Sequence, residues 1–573
     1  MALGTIIAGD LNVHHRPWLR FSQRDSTEGQ QLQDVSQDCC FSQLVQQPTR
    51  GENLLDLVLS DIEAKCKVVP KIADHSGVLV TVDLDTPQTR RHSRLVWHYN
   101  KADWDALRDA LDENTWDCIA CCSTDDGAEH LQARILEAAE DWIPRKKQYI
   151  VSKSHGWLTD EVVRLVHAKK DAEGTDRERD AAIACSEAIT AEFVKYTERS
   201  KAEMLKLPRG SKAWWRKART LALRGRGITG ISSLREGTSW KHSGVEKAGL
   251  FADVFKGKFF IPAIEENEYS EVIAVMGDEH APLGDASEEL AAQILKEINP
   301  DSATGPDLLP GRILRECACQ LAKPLSMLVK RIIAMGNWPN AWREHWIIPI
   351  HKKKAVTDAR NYRGVHLTAQ ISKAAERMVT ALAAPVLQSP LRIGSNQFAY
   401  CKEKGSRDAL AYLVLSIISS FEQRQKVVLF CSDVQGAFDR VSEERFAYKV
   451  AKAGLPDALI PVFISWMQRR RAKVVCDGAQ SDSLELRDMV FQGTVWGPPL
   501  WNLFFGDSER PVHKTGFEPI VYADDLNAIK VLDSDIENEQ ALLEGRRCQE
   551  ELHRWGRANG VSFDLGKESL ELT

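Results

Sequence analysis

At 573 residues, 43% of them apolar and 27% charged, the chain is too long for one ordinary core and too apolar to be disordered. A formal net charge of -6 argues against a protein whose whole surface grips nucleic acid, so any such grip is local. Thirteen scattered cysteines, an odd number with no repeating pairing, argue against a secreted disulfide framework.

Met1 to Ala8 is apolar but lacks a basic lead and runs straight into Gly9-Asp10, which predicts a strand and not a signal peptide. Thr5 to Ala8, Asp56 to Leu59 and Val78 to Val82 are short apolar runs between polar turns, read as buried strands of a first domain over 1–85. From 86 to 290 the chain turns polar, with Ala181 to Leu207 rich in Ala, Glu and Lys, so a mostly helical linker is expected. Within it, 195–226 holds eleven Lys or Arg against Glu198 and Glu203, with Trp214-Trp215 in their midst. Such a run suits a phosphate backbone with the indoles stacking, and equally a solvated basic helix over a buried Trp pair. Cys118, Cys121 and Cys122 cluster, but a zinc site needs about four ligands and no second Cys or His pair stands at finger spacing, so helix packing is the reading. From 291 to 573 helices and strands alternate, after an entry loop at Asn299 to Pro310. No apolar stretch reaches the roughly 20 residues of a membrane helix, so no membrane is expected.

The strongest chemistry lies in this last segment. Val427 to Cys431 reads as a buried strand that delivers Asp433 at its end, followed by Phe438 and Asp439. Pro519 to Tyr522 leads into Asp524-Asp525, and Leu526 to Val531 resumes an apolar run, which predicts a hairpin with both acids at its tip. Adjacent acids in an apolar hairpin repel unless a cation compensates them, which points to a divalent metal, Mg²⁺ before others because it prefers carboxylate and phosphate oxygens. The tetrad Tyr522 to Asp525 is a weak signal alone, and its neighbours decide its meaning.

Asp433-Val434-Gln435-Gly436-Ala437-Phe438-Asp439, then Phe491 to Asn502, then Tyr522-Ala523-Asp524-Asp525 resemble, in that order, the palm motifs of reverse transcriptases. Trp346 to Lys353, Asn361-Tyr362-Arg363, Glu376-Arg377, Gln397-Phe398-Ala399-Tyr400 and Gly405 to Leu410 resemble the finger motifs of the non-LTR (LINE-type) retrotransposon branch. The resemblance implies an α+β right-hand polymerase with fingers and palm over 291–573, a truncated thumb and poor processivity. It implies that Asp433, Asp524 and Asp525 hold two Mg²⁺ ions, with Mn²⁺ as a substitute, and that dNTPs are added to a DNA primer on an RNA template. Phe438 would exclude a 2′-hydroxyl, Gln492-Gly493 would let backbone approach the templating pair, and Pro498-Pro499 would start a helix. Lys352, Lys353 and Arg363 would hold the triphosphate, and Lys567 would protonate the leaving pyrophosphate. A retroelement enzyme of this kind is expected in the nucleus. Protein partners are left unknown.

At the front, Ile6 to Asn12, Leu55 to Ser60 and Ala73 to Ser76 resemble the last three motifs of the endonuclease/exonuclease/phosphatase family. That implies a partial α/β-sandwich, with Asp10 and Asn12 orienting water and phosphate and Asp74-His75 stabilising charge, Asp56 standing among them. Only nine residues precede Asp10, so half of the sandwich is expected to be missing and no independent nicking is expected. The reading is an RNA-directed DNA polymerase. Its alternative is a catalytically silent element remnant that binds nucleic acid through 195–226, and a phosphoesterase with a degenerate tail stands behind both.

Overall fold

The computed structural model describes residues 5–39, 41–71, 74–82, 92–150, 157–211, 213–215, 217–218, 231–237, 239–258, 261, 280–352 and 354–573. Two compact units emerge, 1–96 with 145–233 and 97–144 with 234–573.

In the first unit, β1 (Ile6–Asp10), β2 (Ser42–Gln43) and β3 (Asp56–Ser60) form an antiparallel sheet in the order β1-β3-β2. Leu57 and Val58 of β3 join Val13, Leu19, Val45 and Leu54 in a core under the helix Thr27–Asp38. Ser26 caps that helix by accepting from the Gly29 amide, the usual way an orphan first-turn N–H is satisfied. The sequence predicts β1 as buried; it is a strand but exposed along its whole length, an edge strand with β3 as its only sheet neighbour among the described residues. A hairpin of β4 (Lys65–Lys71) and β5 (Ser76–Thr81) and a pair of β6 (His92–Trp97) with β7 (Arg145–Ile150) follow.

Helices Asp160–Asp171 and Glu178–Leu205 complete this unit. The longer one is polar almost all round, with only Cys185 and Ser200 buried. Lys195 pairs with Glu192 at 2.8 Å and Lys217 with Glu203, so part of the basic run spends its charge locally. Trp214 and Trp215 meet edge to face at 4.8 Å, and Trp215 stays half-exposed. Lys212, Arg216, Arg219, Arg224 and Arg226 of the run lie outside the described residues.

The second unit holds most of the core. Its short hairpin is β8 (Leu234–Glu236) with β9 (Ser239–Lys241). A first sheet has the order β11-β10-β13-β14, from β10 (Glu344–His351), β11 (Tyr362–Leu367), β13 (Arg470–Cys476) and β14 (Ala479–Gln480), with β15 (Leu484–Leu486) also on β13. A second, antiparallel sheet has the order β16-β17-β12-β18, from β12 (Lys426–Asp433), β16 (Glu518–Tyr522), β17 (Asp525–Leu532) and β18 (Ser569–Leu572). Val427, Ile520 and Ile529 of this sheet cluster with Phe398 and with Ala409, Leu413 and Ile417 of helix Ser406–Glu422. Helix Asn538–Asn559 also packs on the sheet and passes so close that a Cβ on Gly545 would meet Leu570 of β18.

Two stretches that the sequence places in a linker pack into this unit. Helix Thr124–Trp142 buries Leu131, Ile135, Ala138 and Ala139, a stripe at helical spacing, and its start is tied to the loop after helix Ala318–Met335: Asn337 donates to Thr124 Oγ1 at 2.9 Å. Helix Gly244–Lys258 buries Phe251 and Phe255, the former edge-on to Tyr362 of β11 at 4.9 Å, and Lys247 pairs with Asp477 at 2.9 Å. Cys118 and Cys121 lie on a short helix and are exposed, and among the described residues every cysteine is a free thiol. Among the described residues no helix is long and apolar enough to cross a membrane.

A polar network is sealed inside the first sheet. Arg470, fully buried, lies over Trp466 and Phe491 and donates to His345 Nε2. Because a guanidinium only donates, His345 must carry its hydrogen on Nδ1, from which it donates to His366 Nδ1 at 3.0 Å. Burial, and then the Arg470 charge, pushes the His366 imidazole down to about 3, and His345 is depressed by the same causes. In the unfolded chain these rings take up protons near pH 6.5. Their stabilising contribution is therefore present above about pH 6.5 and is lost as pH falls toward the depressed folded value. His366→Asn should lower thermal stability at about pH 7.5 yet flatten the decline between about pH 7.5 and 5, as followed by circular dichroism melting. A variant that declines as steeply as the parent would show that these rings do not titrate on unfolding.

Candidate active site

The second sheet brings the acids together. β12 and β17 run antiparallel with Asp433 opposite Asp525, and β16 and β17 are joined by a two-residue turn, Ala523-Asp524, that leaves Tyr522 opposite Asp525. The predicted hairpin with both acids at its tip is what forms. Burial raises the Asp524 carboxyl, and the neighbouring Asp433 raises it further, against the pull of Lys567 and Arg363. Asp525 is raised by burial, then by Asp524 and Asp433.

The loop after helix Asn538–Asn559 closes the far side: Asp564 donates its amide to the Asp433 carbonyl at 2.9 Å, and Lys567 Nζ is ion-paired with Asp433 Oδ2. That bond raises the Lys567 ammonium, so it holds its proton more tightly while it sits there. As the side chains stand, no three His, Cys, Asp or Glu among the described residues form a ready-made metal cage. The donor set nevertheless suits a hard divalent cation, since these acids raise one another and a lysine ammonium already lies against one of them.

Around the acids stand the other expected residues. Phe438, in a tight turn after Gly436, is buried, stacks on Trp501 at 5.7 Å and meets Tyr400 edge-on at 6.2 Å. Its carbonyl accepts from the Val490 amide at 2.9 Å, which fixes the turn against the Phe491-Gln492-Gly493 segment. Helix Gly497–Phe505 starts at the prolines as predicted. Gly493 has φ +104, and its backbone approach is to β11: a Cβ there would lie 2.5 Å from the His366 carbonyl oxygen, while His366 donates to the Gln492 carbonyl at 2.9 Å.

Arg363 lies in β11 opposite Ile350, and Lys352 follows the end of β10, its amide held by the Asn361 carbonyl at 2.9 Å; both side chains are exposed. Lys353 lies outside the described residues. Burial pushes Asp439 up to about 6, against the pull of Lys258, Lys352 and Arg363. Lys258 is absent from the sequence reading because it ends a helix taken as linker; the Phe251 and Phe255 spacing was the signal that this helix faces a core. Glu376, fully buried, accepts from the Val495 amide at 2.7 Å and the Trp466 indole at 3.2 Å and so anchors the turn that starts helix Gly497–Phe505. Sequence alone marked it as part of a motif without a task.

In the first unit the front residues also converge. Asp10 and Asp56 are register partners, and His75 bonds Asp56 at 2.8 Å while its other nitrogen lies 4.0 Å from Asp10 and 3.9 Å from Asp74. Burial works to raise Asp56, but hydrogen bonds from Thr49 and His75 outweigh it and hold the carboxyl below its ordinary value. Asn12, at φ +47, donates its amide to Asp10 at 3.1 Å, and Arg50 pairs with Asp74 at 2.9 Å.

Comparison with known proteins places this site in a known family of domains. Residues 350–571 match the family model described as reverse transcriptase (RNA-dependent DNA polymerase), and they form a reverse transcriptase domain. Its kind is that of the non-LTR retrotransposons. The chain is similar to the RNA-directed DNA polymerase from mobile element jockey of Drosophila melanogaster, 28% identical over 50% of this chain and 32% of that protein. It is also similar to the jockey polymerase of Drosophila funebris, 26% identical over 57% of this chain and 36% of that protein. It thus spans about a third of the length of these curated relatives. A telomerase structure from Candida tropicalis aligns with a TM-score of 0.31 and 10% identity, over 47% of this chain and 64% of that one, too slight a likeness to carry an argument.

The close approach at Gly493 gives a direct test. Gly493→Ala must either push β11 back or abandon the positive φ, a strain of about 1–3 kcal/mol. Chemical denaturation should show that loss, and an unchanged midpoint would mean that the turn and β11 are not locked together.

Proposed function

We propose that this chain is an RNA-directed DNA polymerase that adds dNTPs to a primer 3′-hydroxyl. The observation that carries the reading is the register that sets Asp433 against Asp525 with Asp524 in the adjoining turn. Asp433, Asp524 and Asp525 would hold divalent cations, Mg²⁺ before Mn²⁺, which when bound supply charge neutralisation at the transferred phosphate and activation of the attacking hydroxyl. The chain's own residues do the rest. Lys352, Arg363 and Lys258, each of which pulls on the Asp439 carboxyl, would offset the triphosphate charge. Phe438, backed by Trp501, cannot retreat from a ribose and so excludes a 2′-hydroxyl. Gln492 and Gly493, whose backbone lies against His366, would hold this turn against β11. Lys567 can release Asp433 to a cation and turn its ammonium to the departing pyrophosphate. RNA template and DNA primer are the partners this chemistry requires, and the nucleus is the compartment in which a retroelement enzyme would meet chromosomal DNA.

Purified protein should extend a DNA primer on an RNA template. Asp524→Asn with Asp525→Asn should remove at least about three orders of magnitude of that rate with no loss of thermal stability, since both acids are strained by burial and repulsion. Salt-dependent RNA binding without any incorporation by the parent chain would favour the alternative, a silent binder whose Asp433 stays locked by Lys567.

For the front unit the proposal is a phosphoesterase-type arrangement that does not nick DNA by itself. The His75 bond to Asp56 with Asp10, Asn12 and Asp74 alongside supports the first half, and the exposed β1, which leaves the sheet beside Asp10 open to water, supports the second. Supercoiled plasmid incubated with the protein and Mg²⁺ should stay intact. Cleavage that disappears in Asp10→Ala would defeat this part.

A further inference from the structure

Ala523 sits at φ +62, in the left-handed region, where an L-residue other than Gly, Asn or Asp is held at a penalty of roughly 1–2 kcal/mol. The two-residue turn contains no glycine to relieve it. The fold instead satisfies both backbone groups of Ala523 with buried side chains. Its N–H donates to Gln397 Oε1 at 3.0 Å, and its carbonyl accepts from Trp501 Nε1 at 3.0 Å and from Gln397 Nε2 at 3.5 Å. Gln397 and Trp501 are 1% and 0% exposed, so water does not compete for these bonds.

Each side of this grip is itself fixed. Gln397 Oε1 also accepts from the Ala399 amide at 3.0 Å, and the chain around it is zipped to β16, Phe398 donating to the Val521 carbonyl at 2.9 Å and Val521 to that of Asn396 at 3.0 Å. The Trp501 ring is stacked between Phe438 at 5.7 Å and Phe505 at 5.1 Å. Burial beneath the turn keeps both away from substrate, so they act through Ala523.

From this geometry we infer that Gln397 and Trp501 are positioning residues that clamp the Ala523 peptide in its left-handed conformation and thereby fix where Asp524 presents its carboxylate. The inference rests on the polymerase reading above. Without the clamp Ala523 relaxes to negative φ, the Ala523-Asp524 peptide turns over, and Asp524 leaves its place beside Asp433.

The test uses Gln397→Met and Trp501→Phe, which keep bulk and remove the hydrogen bonds, each with and without Ala523→Gly. Primer-extension kcat should fall roughly 10- to 100-fold in each single variant while KM for dNTP changes less than about two-fold. The Mg²⁺ concentration giving half of the Tm rise on metal addition should increase. Adding Ala523→Gly to Gln397→Met should return about ten-fold in kcat, because glycine accepts positive φ without a clamp. A wild-type kcat in both single variants, or no recovery with glycine, overturns the inference. Should Gln397→Met fail to fold, Trp501→Phe with and without glycine carries the same comparison. A parent chain that extends no primer counts against the polymerase reading alone, and the Mg²⁺ dependence of Tm then decides the clamp, an unchanged midpoint defeating it.

Discussion

Carboxylates brought together against their own repulsion set the terms for the rest of this molecule. Asp433 and Asp525 face each other across β12 and β17, and Asp524 is raised by burial and by Asp433 in the turn beside them. Such a cluster exists only where packing over-determines it, and here the packing comes from both sides of β12. Val427 looks into the cluster under helix Ser406–Glu422, while Phe430 lies in register with Leu570 beneath helix Asn538–Asn559. A slip of one residue in either strand would send the acids to the other face of the sheet, so the apolar register of β12 and β17 is what the chemistry depends on.

The first sheet of the second unit depends on a different kind of interior. Glu376 ties helix Gln370–Leu387 to the amides that open helix Gly497–Phe505, and Arg470 ties β13 to the histidines of β10 and β11. Replacing any one member strands the others, since a buried polar group that loses its partner costs more than the bond contributed. Gly493 belongs to the same joint: with no side chain, the turn sits directly on the His366 backbone. The turn is thus held to the β11 strand that also carries Arg363.

What could be read in the sequence followed from periodicity, and what could not followed from long-range contacts. Val427 to Cys431 and the runs flanking Asp524 have the composition of buried strands, so the strand ending in Asp433 and the hairpin were legible. The exposure of β1 was not, because Ile6 and Ile7 look like core until the sheet is seen to end there. Helix Thr124–Trp142 hid its packing in a polar segment, since alanines make half of its buried stripe. At the site, the acids and Phe438 were legible from order and spacing. The tasks of Gln397, Trp501 and Glu376 were not, for each meets a backbone group across 22 to 126 residues of chain.

Electrostatics explains how a chain of net charge -6 can still serve a polyanion. Burial, and then the neighbouring Lys352, depress the Lys258 ammonium. Asp439 works against that depression, while its own carboxyl is pushed up to about 6 by burial against the pull of Lys258, Lys352 and Arg363. Arg363 and Lys567 pull on the Asp524 carboxyl, and local acids neutralise positive charge elsewhere, as Glu192 and Glu203 do along the basic arm. On the proposed reading a triphosphate would be drawn by the few cations it can reach, and since a screened interaction fades within about 8 Å at physiological salt, the distant negative charge would oppose it little.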